Sequence, residues 1–222
     1  MDTVLGLDPL TRLAAADESA VAIHPLPQGG EGSRIVSAGE TMATKTLLTL
    51  EEFARIFERR DFFCELVEGE LITVSPGMFL HNSVRDNVLL LLKTFVEARR
   101  LGVVVSEQPF HLFGNTVRYP DVAFVRSGRL LPAHKFPEGA PDLAVEIISP
   151  SNSPREMHRR ISDFFAAGST RVWVVYPEDR EVYVHGLSGV VRRSADEALE
   201  DSELLPGFSV KVSSLFGEVV NG

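Results

Sequence analysis

The run Pro141-Asp142-Leu143-Ala144-Val145-Glu146-Ile147-Ile148-Ser149-Pro150-Ser151 constrains this chain more than any other stretch. It is a strand-like apolar segment with a carboxylate, Glu146, at its middle. An ionised carboxylate in an apolar setting is costly unless it is paired, hydrogen-bonded or bound to a metal. A second such run, Arg118-Tyr119-Pro120-Asp121-Val122-Ala123-Phe124-Val125, carries Asp121 near its start. Two strand-borne carboxylates of this kind suggest a divalent-metal site. Each also has a simpler reading: Asp121 as a turn cap after Pro120, Glu146 as half of an ion pair with an arginine.

The surrounding pattern describes a mixed α/β (α+β) domain. Thr49 and Glu52 form a capping box, which predicts a helix to about Arg59. Residues 62–74 read as an N-terminal hairpin turning at Glu68-Gly69. Val84, Val88, Leu91, Leu92 and Phe95 have helical spacing, and His81 extends that stripe toward the start of a long helix over 79–100. Strands are expected at 102–107, 109–113, 117–125 and 142–149, then a helix over 154–167 ended by Gly168. Strands at 171–176, 181–186 and 189–193 and a short turn near Leu215-Phe216 complete the order, which suits one layered domain over residues 45–222. Residues 1–44, with Pro25-Leu26-Pro27-Gln28-Gly29-Gly30, lack any period and read as a flexible or disordered extension; a start at Met42 would remove most of it.

Composition narrows the function classes. One cysteine, Cys64, excludes an internal disulfide and any multi-cysteine zinc site. That fits a reducing, cytoplasmic setting. No apolar run reaches the ~20 residues a membrane helix needs, and no basic segment leads into an apolar one as in a signal peptide. The net charge of −9 argues against broad charge-driven binding to nucleic acid. It does not argue against a nuclease, because metal-site acids add negative charge that a bound cation offsets.

Taken in order, Pro120-Asp121, the Val-Glu-Ile-Ile-Ser-Pro-Ser run around Glu146, Phe63-Cys64-Glu65-Leu66-Val67-Glu68-Gly69-Glu70-Leu71, His81 opening the long helix, Phe164 to Gly168, Val172-Trp173-Val174-Val175 and the late Pro206-Gly207-Phe208 resemble the Uma family. That family falls in the PD-(D/E)XK nuclease superfamily, and the resemblance spans about residues 45–218. It implies a restriction-endonuclease-like core, a curved, mixed, mostly antiparallel sheet flanked by helices, acting as a metal-dependent endonuclease on DNA. It further implies Mg²⁺ or Mn²⁺ held by Asp121 and Glu146, with Glu65 as a third acid, and His81 orienting water or phosphate or moving a proton. The plainer readings are a hairpin surface carboxylate for Glu65 and a packed core histidine for His81. Double-strand cutting also suggests a homodimer.

The chain departs from the superfamily pattern at one place. The lysine expected two residues after the second acid is Ile148. In the Uma family the lysine sits on the following helix, and that register falls here on Arg160. Arginine stays protonated and cannot serve as a general base, although it can stabilise developing negative charge. Arg160 could equally be an ion-pair partner of Glu146 or Asp163, and His158 has a comparable helical placement. Two functional classes follow: an active metal-dependent endonuclease, or a nuclease-fold protein that binds DNA or a partner without cutting.

Overall fold

The computed structural model describes residues 47–58, 64–73, 77–129, 135–150 and 152–217. The expected extension over 1–44, with Met42, lies outside them, as do Arg59, Phe62, Phe63 and Val74 of the predicted first helix and hairpin. Helix α1 (Leu50–Phe57) starts at Thr49, where the Thr49 and Glu52 side chains cap each other's backbone N–H as expected. The hairpin β1 (Cys64–Val67) and β2 (Glu70–Thr73) follows, turning through Glu68 and Gly69, both at positive φ. Next come the long helix α2 (Phe79–Arg99) and strands β3 (Gly102–Ser106), β4 (Phe110–Phe113), β5 (Thr116–Arg118), β6 (Val122–Arg126) and β7 (Leu143–Ile147). Helix α3 (Pro154–Ala166) leads to β8 (Arg171–Tyr176), β9 (Glu181–Gly186) and β10 (Gly189–Arg193). Two short strands, β11 (Ala198–Glu200) and β12 (Ser209–Lys211), precede a 3₁₀ turn at Val212–Leu215.

The strands form a six-stranded sheet of order β10-β9-β8-β7-β6-β3 and a four-stranded sheet of order β2-β1-β5-β4, with β11 and β12 as a separate pair. All pairings in the large sheet are antiparallel except β7 with β8, which α3 connects. A parallel pair needs such a crossover, because a tight turn can only reverse the chain.

One expectation is corrected. Residues 117–125 are not a single strand but two, β5 in the small sheet and β6 in the large one. Pro120 explains the break: it has no N–H to give a ladder, and it restricts Tyr119 before it. The chain changes sheets across Tyr119-Pro120-Asp121, so Asp121 stands at the seam.

Strand alternation distributes the large sheet over two cores. Val122, Phe124, Leu143, Val145, Ile147, Trp173 and Val175 face Val84, Val88, Leu92 and Val96 of α2. Ala123, Val125, Ala144, Val172 and Val174 face Met157 and Phe164 of α3. Asp121 and Glu146 fall on the second face by period-two alternation. That places both acids under α3, where small alanines leave room for a long side chain descending from the helix. The small sheet has its own core, with Cys64, Leu66 and Val117 against Phe53 and Ile56 of α1.

Candidate active site

Asp121 and Glu146 come together because of register. The β6–β7 ladder pairs Val122 with Val145 and Ala123 with Ala144. One step further along, Asp121 faces Glu146. The Ile147 N–H donates to Asp121 Oδ2 at 2.7 Å, which fixes that carboxylate against the end of β7. Its other oxygen, Oδ1, lies 3.3 Å from His81 Nε2 in the first turn of α2.

Glu146 is buried, and its Oε1 accepts from Arg160 Nη2 at 2.9 Å. The same guanidinium donates through Nη1 to Glu65 Oε2 at 2.6 Å and through Nη2 to the Tyr119 carbonyl at 3.2 Å. Arg160 therefore bridges two sheets, from β1 to β7. Glu65 is saturated by other donors too: Arg118 Nη1 at 3.0 Å on Oε2 and the Tyr119 N–H at 2.8 Å on Oε1. Arg118 in turn clamps Asp163 on α3, with Nε at 2.9 Å. The Arg160 register expected from the family alignment of motifs is the buried one, while His158 is exposed and Arg159 pairs with the surface Glu68.

The resemblance implies Glu65 as a third metal acid. In the structure its carboxylate accepts from two guanidiniums and a backbone N–H, and among the described residues no three His, Cys, Asp or Glu side chains converge as a ready ligand set. Asp163, a possible partner of Arg160 in the sequence, pairs instead with Arg118, which the sequence reading does not single out. Arg118 is 2% exposed, and an arginine inside the Thr-Val-Arg strand was the available signal, but its partners lie 53 and 45 residues away.

The electrostatics of this cluster are unbalanced. Four carboxylates (Glu65, Asp121, Glu146, Asp163) meet two guanidiniums (Arg118, Arg160), a formal charge of −2 with His81 neutral. Glu146 registers the shortage. Burial pushes its carboxyl up to about 8; Arg160 opposes that shift, and the charges of Asp121 and Glu65 add to it. A single guanidinium shared between Glu65 and Glu146 does not neutralise both. The Arg160 guanidinium is held in its charged form more firmly than usual, since the charges of Glu146 and Glu65 outweigh its burial. The His81 imidazole is raised as well: burial lowers it, but the hydrogen bond and charge of Asp121 prevail.

Glu65, His81, Asp121, Glu146 and Arg160 line a cleft of about 620 Å³ whose walls also include Arg85, Glu107, Asn82, Asn152 and Tyr119. Arg85 lies one helical turn after His81 and is held by Glu107 and Asp86. His81 is seated by a close backbone. Asn82 Nδ2 donates to the Gly77 carbonyl at 3.0 Å, and a Cβ on Gly77 would stand 2.5 Å from both His81 Nδ1 and Asn82 Oδ1. A side chain at 77 would therefore force His81 or Asn82 to shift.

Comparison with known proteins gives the family and the fold. The sequence profile of the Uma2 family, described as "Putative restriction endonuclease", matches residues 50–213. The chain belongs to the Uma2 family. Among solved structures, the Uma2 chain is similar to one described as "a putative nuclease belonging to DUF820" from Anabaena variabilis ATCC 29413. The TM-score is 0.67 at 19% identity, covering 76% of this chain and 97% of that one. That likeness shows a shared fold. No curated protein matches. Among the described residues no helix is long and apolar enough to cross a membrane.

Proposed function

We propose that this Uma2 protein is a divalent-metal-dependent endonuclease that hydrolyses DNA phosphodiester bonds in the cleft between α2 and the β6–β7 edge. The observation that carries the reading is the pair Asp121 and Glu146, two carboxylates that line the cleft, set opposite each other at the ends of neighbouring strands. A hard divalent cation such as Mg²⁺ or Mn²⁺ fits this donor chemistry, since it takes oxygen ligands and keeps several waters. Asp121 and Glu146 would hold it, Glu146 through Oε2, which accepts no hydrogen bond from the described residues. When bound, such an ion polarises the phosphate and lowers the pKa of an attacking water.

The remaining work falls to the chain. Arg160 cannot accept a proton, and its contacts keep Glu146 and Glu65 in place rather than reaching outward. It fills the place of the family lysine as a positioning residue. His81, held against Asp121 at the cleft wall, is placed to orient water or phosphate or to move a proton to the departing oxygen. Arg85 can stabilise phosphate charge from one turn further along α2. Each cleft cuts one strand, so a double-strand break requires two copies acting together.

The test is conversion of supercoiled plasmid to nicked and linear forms with Mg²⁺ or Mn²⁺, comparing the native protein with Asp121→Ala and Glu146→Ala. Cleavage by the native protein alone supports the reading. Equal conversion by all three, or none by any with DNA binding intact, supports the non-cutting alternative.

A further inference from the structure

A second pocket, about 390 Å³, adjoins the cleft and shares His81, Met78, Ser149 and Pro150 with it. Its own walls are Phe79, Leu80, Ile148, Tyr176 and Pro177, and its rim carries Glu178 and Asp179. Phe79 is 90% exposed at the start of α2, beside Met78 at 66%. Large apolar side chains displayed together mark a binding surface more often than isolated ones do.

We propose that this pocket receives one unpaired nucleobase of the DNA strand being cut, next to the scissile phosphate, with Phe79 and Tyr176 as its stacking surfaces. The proposal rests on the reading of the adjoining cleft as a phosphodiester site. Three observations select a base over other occupants. Continuity comes first: whatever fills the pocket touches the wall that His81 shares with the cleft. Charge comes second. Among the described residues no lysine or arginine lines the pocket, and two carboxylates rim it, so phosphate is repelled while the amino groups of bases find acceptors. Third is the chain's charge of −9, which leaves little of the sequence-independent attraction that proteins usually apply to the DNA backbone. Base stacking on aromatic faces supplies affinity without it, and every base has a face to offer. A duplex must unpair to fill the pocket, so strands that are already single, flapped or mismatched are the favoured substrates.

The test is an abasic scan. A single-stranded DNA of about 12 nucleotides is bound with Ca²⁺ present, and each nucleotide in turn is replaced by an abasic one. One position is expected to weaken binding by roughly tenfold, the scale of a single stacked base. Phe79→Ala should weaken the intact strand by a similar factor and make the abasic change at that position nearly silent. Phe79 is a surface residue, so this variant keeps the fold. No sensitive position, additive losses, or conversion of a dimer to a monomer by Phe79→Ala with base dependence unchanged would each overturn the proposal. Cleavage of the same strand with Mg²⁺ separates the two claims. Cutting without a sensitive position removes the pocket and leaves the nuclease; a sensitive position without cutting does the reverse.

Discussion

Replacing Arg160 by lysine tests the bridge between the two sheets. The substitution keeps the charge and introduces the residue type that the family resemblance implies at this register. It nevertheless trades a planar fork for a point charge. The fork reaches Glu65 at 2.6 Å, Glu146 at 2.9 Å and the Tyr119 carbonyl at 3.2 Å, using two nitrogens on opposite arms. One ammonium seated against Glu65 leaves the buried Glu146 without its charge-assisted bond, whereas Glu65 keeps Arg118 and the Tyr119 N–H in either placement. A hydrogen bond to a charged group contributes about 1.5–3 kcal/mol, and a buried polar group left unmatched costs a further ~1–3 kcal/mol. These sum to about 2.5–6 kcal/mol, and the hydrogen bond the ammonium keeps offsets part of that, leaving a net destabilisation of about 2–4 kcal/mol. At roughly 2–4 °C per kcal/mol for a chain of this size, the thermal midpoint falls by about 5–15 °C. The measurement is unfolding followed by circular dichroism, with and without Mg²⁺. Added Mg²⁺ should recover more stability in the variant than in the native protein, because the orphaned Glu146 becomes a better ligand. A midpoint within about 2 °C of the native value, on the same conversion scale, would show that the guanidinium bridge is not what holds the acids together.

Three further outcomes follow from the same geometry. Glu146 has a pKa raised from the ordinary carboxylate value to about 8, so it favours the metal-free fold at low pH and that contribution is lost as pH rises from about 4.5 through 8. Metal-free protein should melt lower at pH 9 than at pH 6, and Mg²⁺ should close the gap; equal midpoints would contradict the shift. Gly77→Ala places a methyl 2.5 Å from His81 Nδ1, so cleavage should fall by about tenfold or more with little change in melting; normal activity would free His81 from a role. Asp142, buried beneath Arg126 and Arg129, has a pKa lowered despite burial, by the Arg126 backbone N–H and side chain and then by Arg129. Its contribution is present above about pH 4, the unfolded value, and is lost on further acidification. Asp142→Asn should therefore destabilise the protein at pH 7 more than at pH 3, and the opposite order in a denaturant titration would refute this.

The parts of the molecule legible in the sequence were those fixed by local chemistry. The Thr49/Glu52 capping box, the Glu68-Gly69 turn and the stripe of α2 each depend on residues a few positions apart. Glu146 was legible because a carboxylate inside an apolar strand demands a partner. Asp121 was found, but not the sheet change that exposes it, since Arg118 to Val125 alternates plausibly as one strand and only Pro120 hints at the break. The Arg118–Asp163 clamp and the engagement of Glu65 by two arginines depend on β1, β5 and α3 meeting in space. Strand spacing says nothing about such meetings. The β11–β12 pair also escaped notice, its three-residue strands being too short to show a period.

The proposed function rests on Asp121 and Glu146 together binding one divalent cation. Titration of the metal-free protein with Mn²⁺ at pH 7, followed by calorimetry in two buffers of different ionisation enthalpy, tests it most directly. One ion should bind per chain, a proton should be released on binding as Glu146 ionises, and the site should be lost in Asp121→Ala and in Glu146→Ala. Binding that survives both substitutions, or no binding by the native protein, would contradict it.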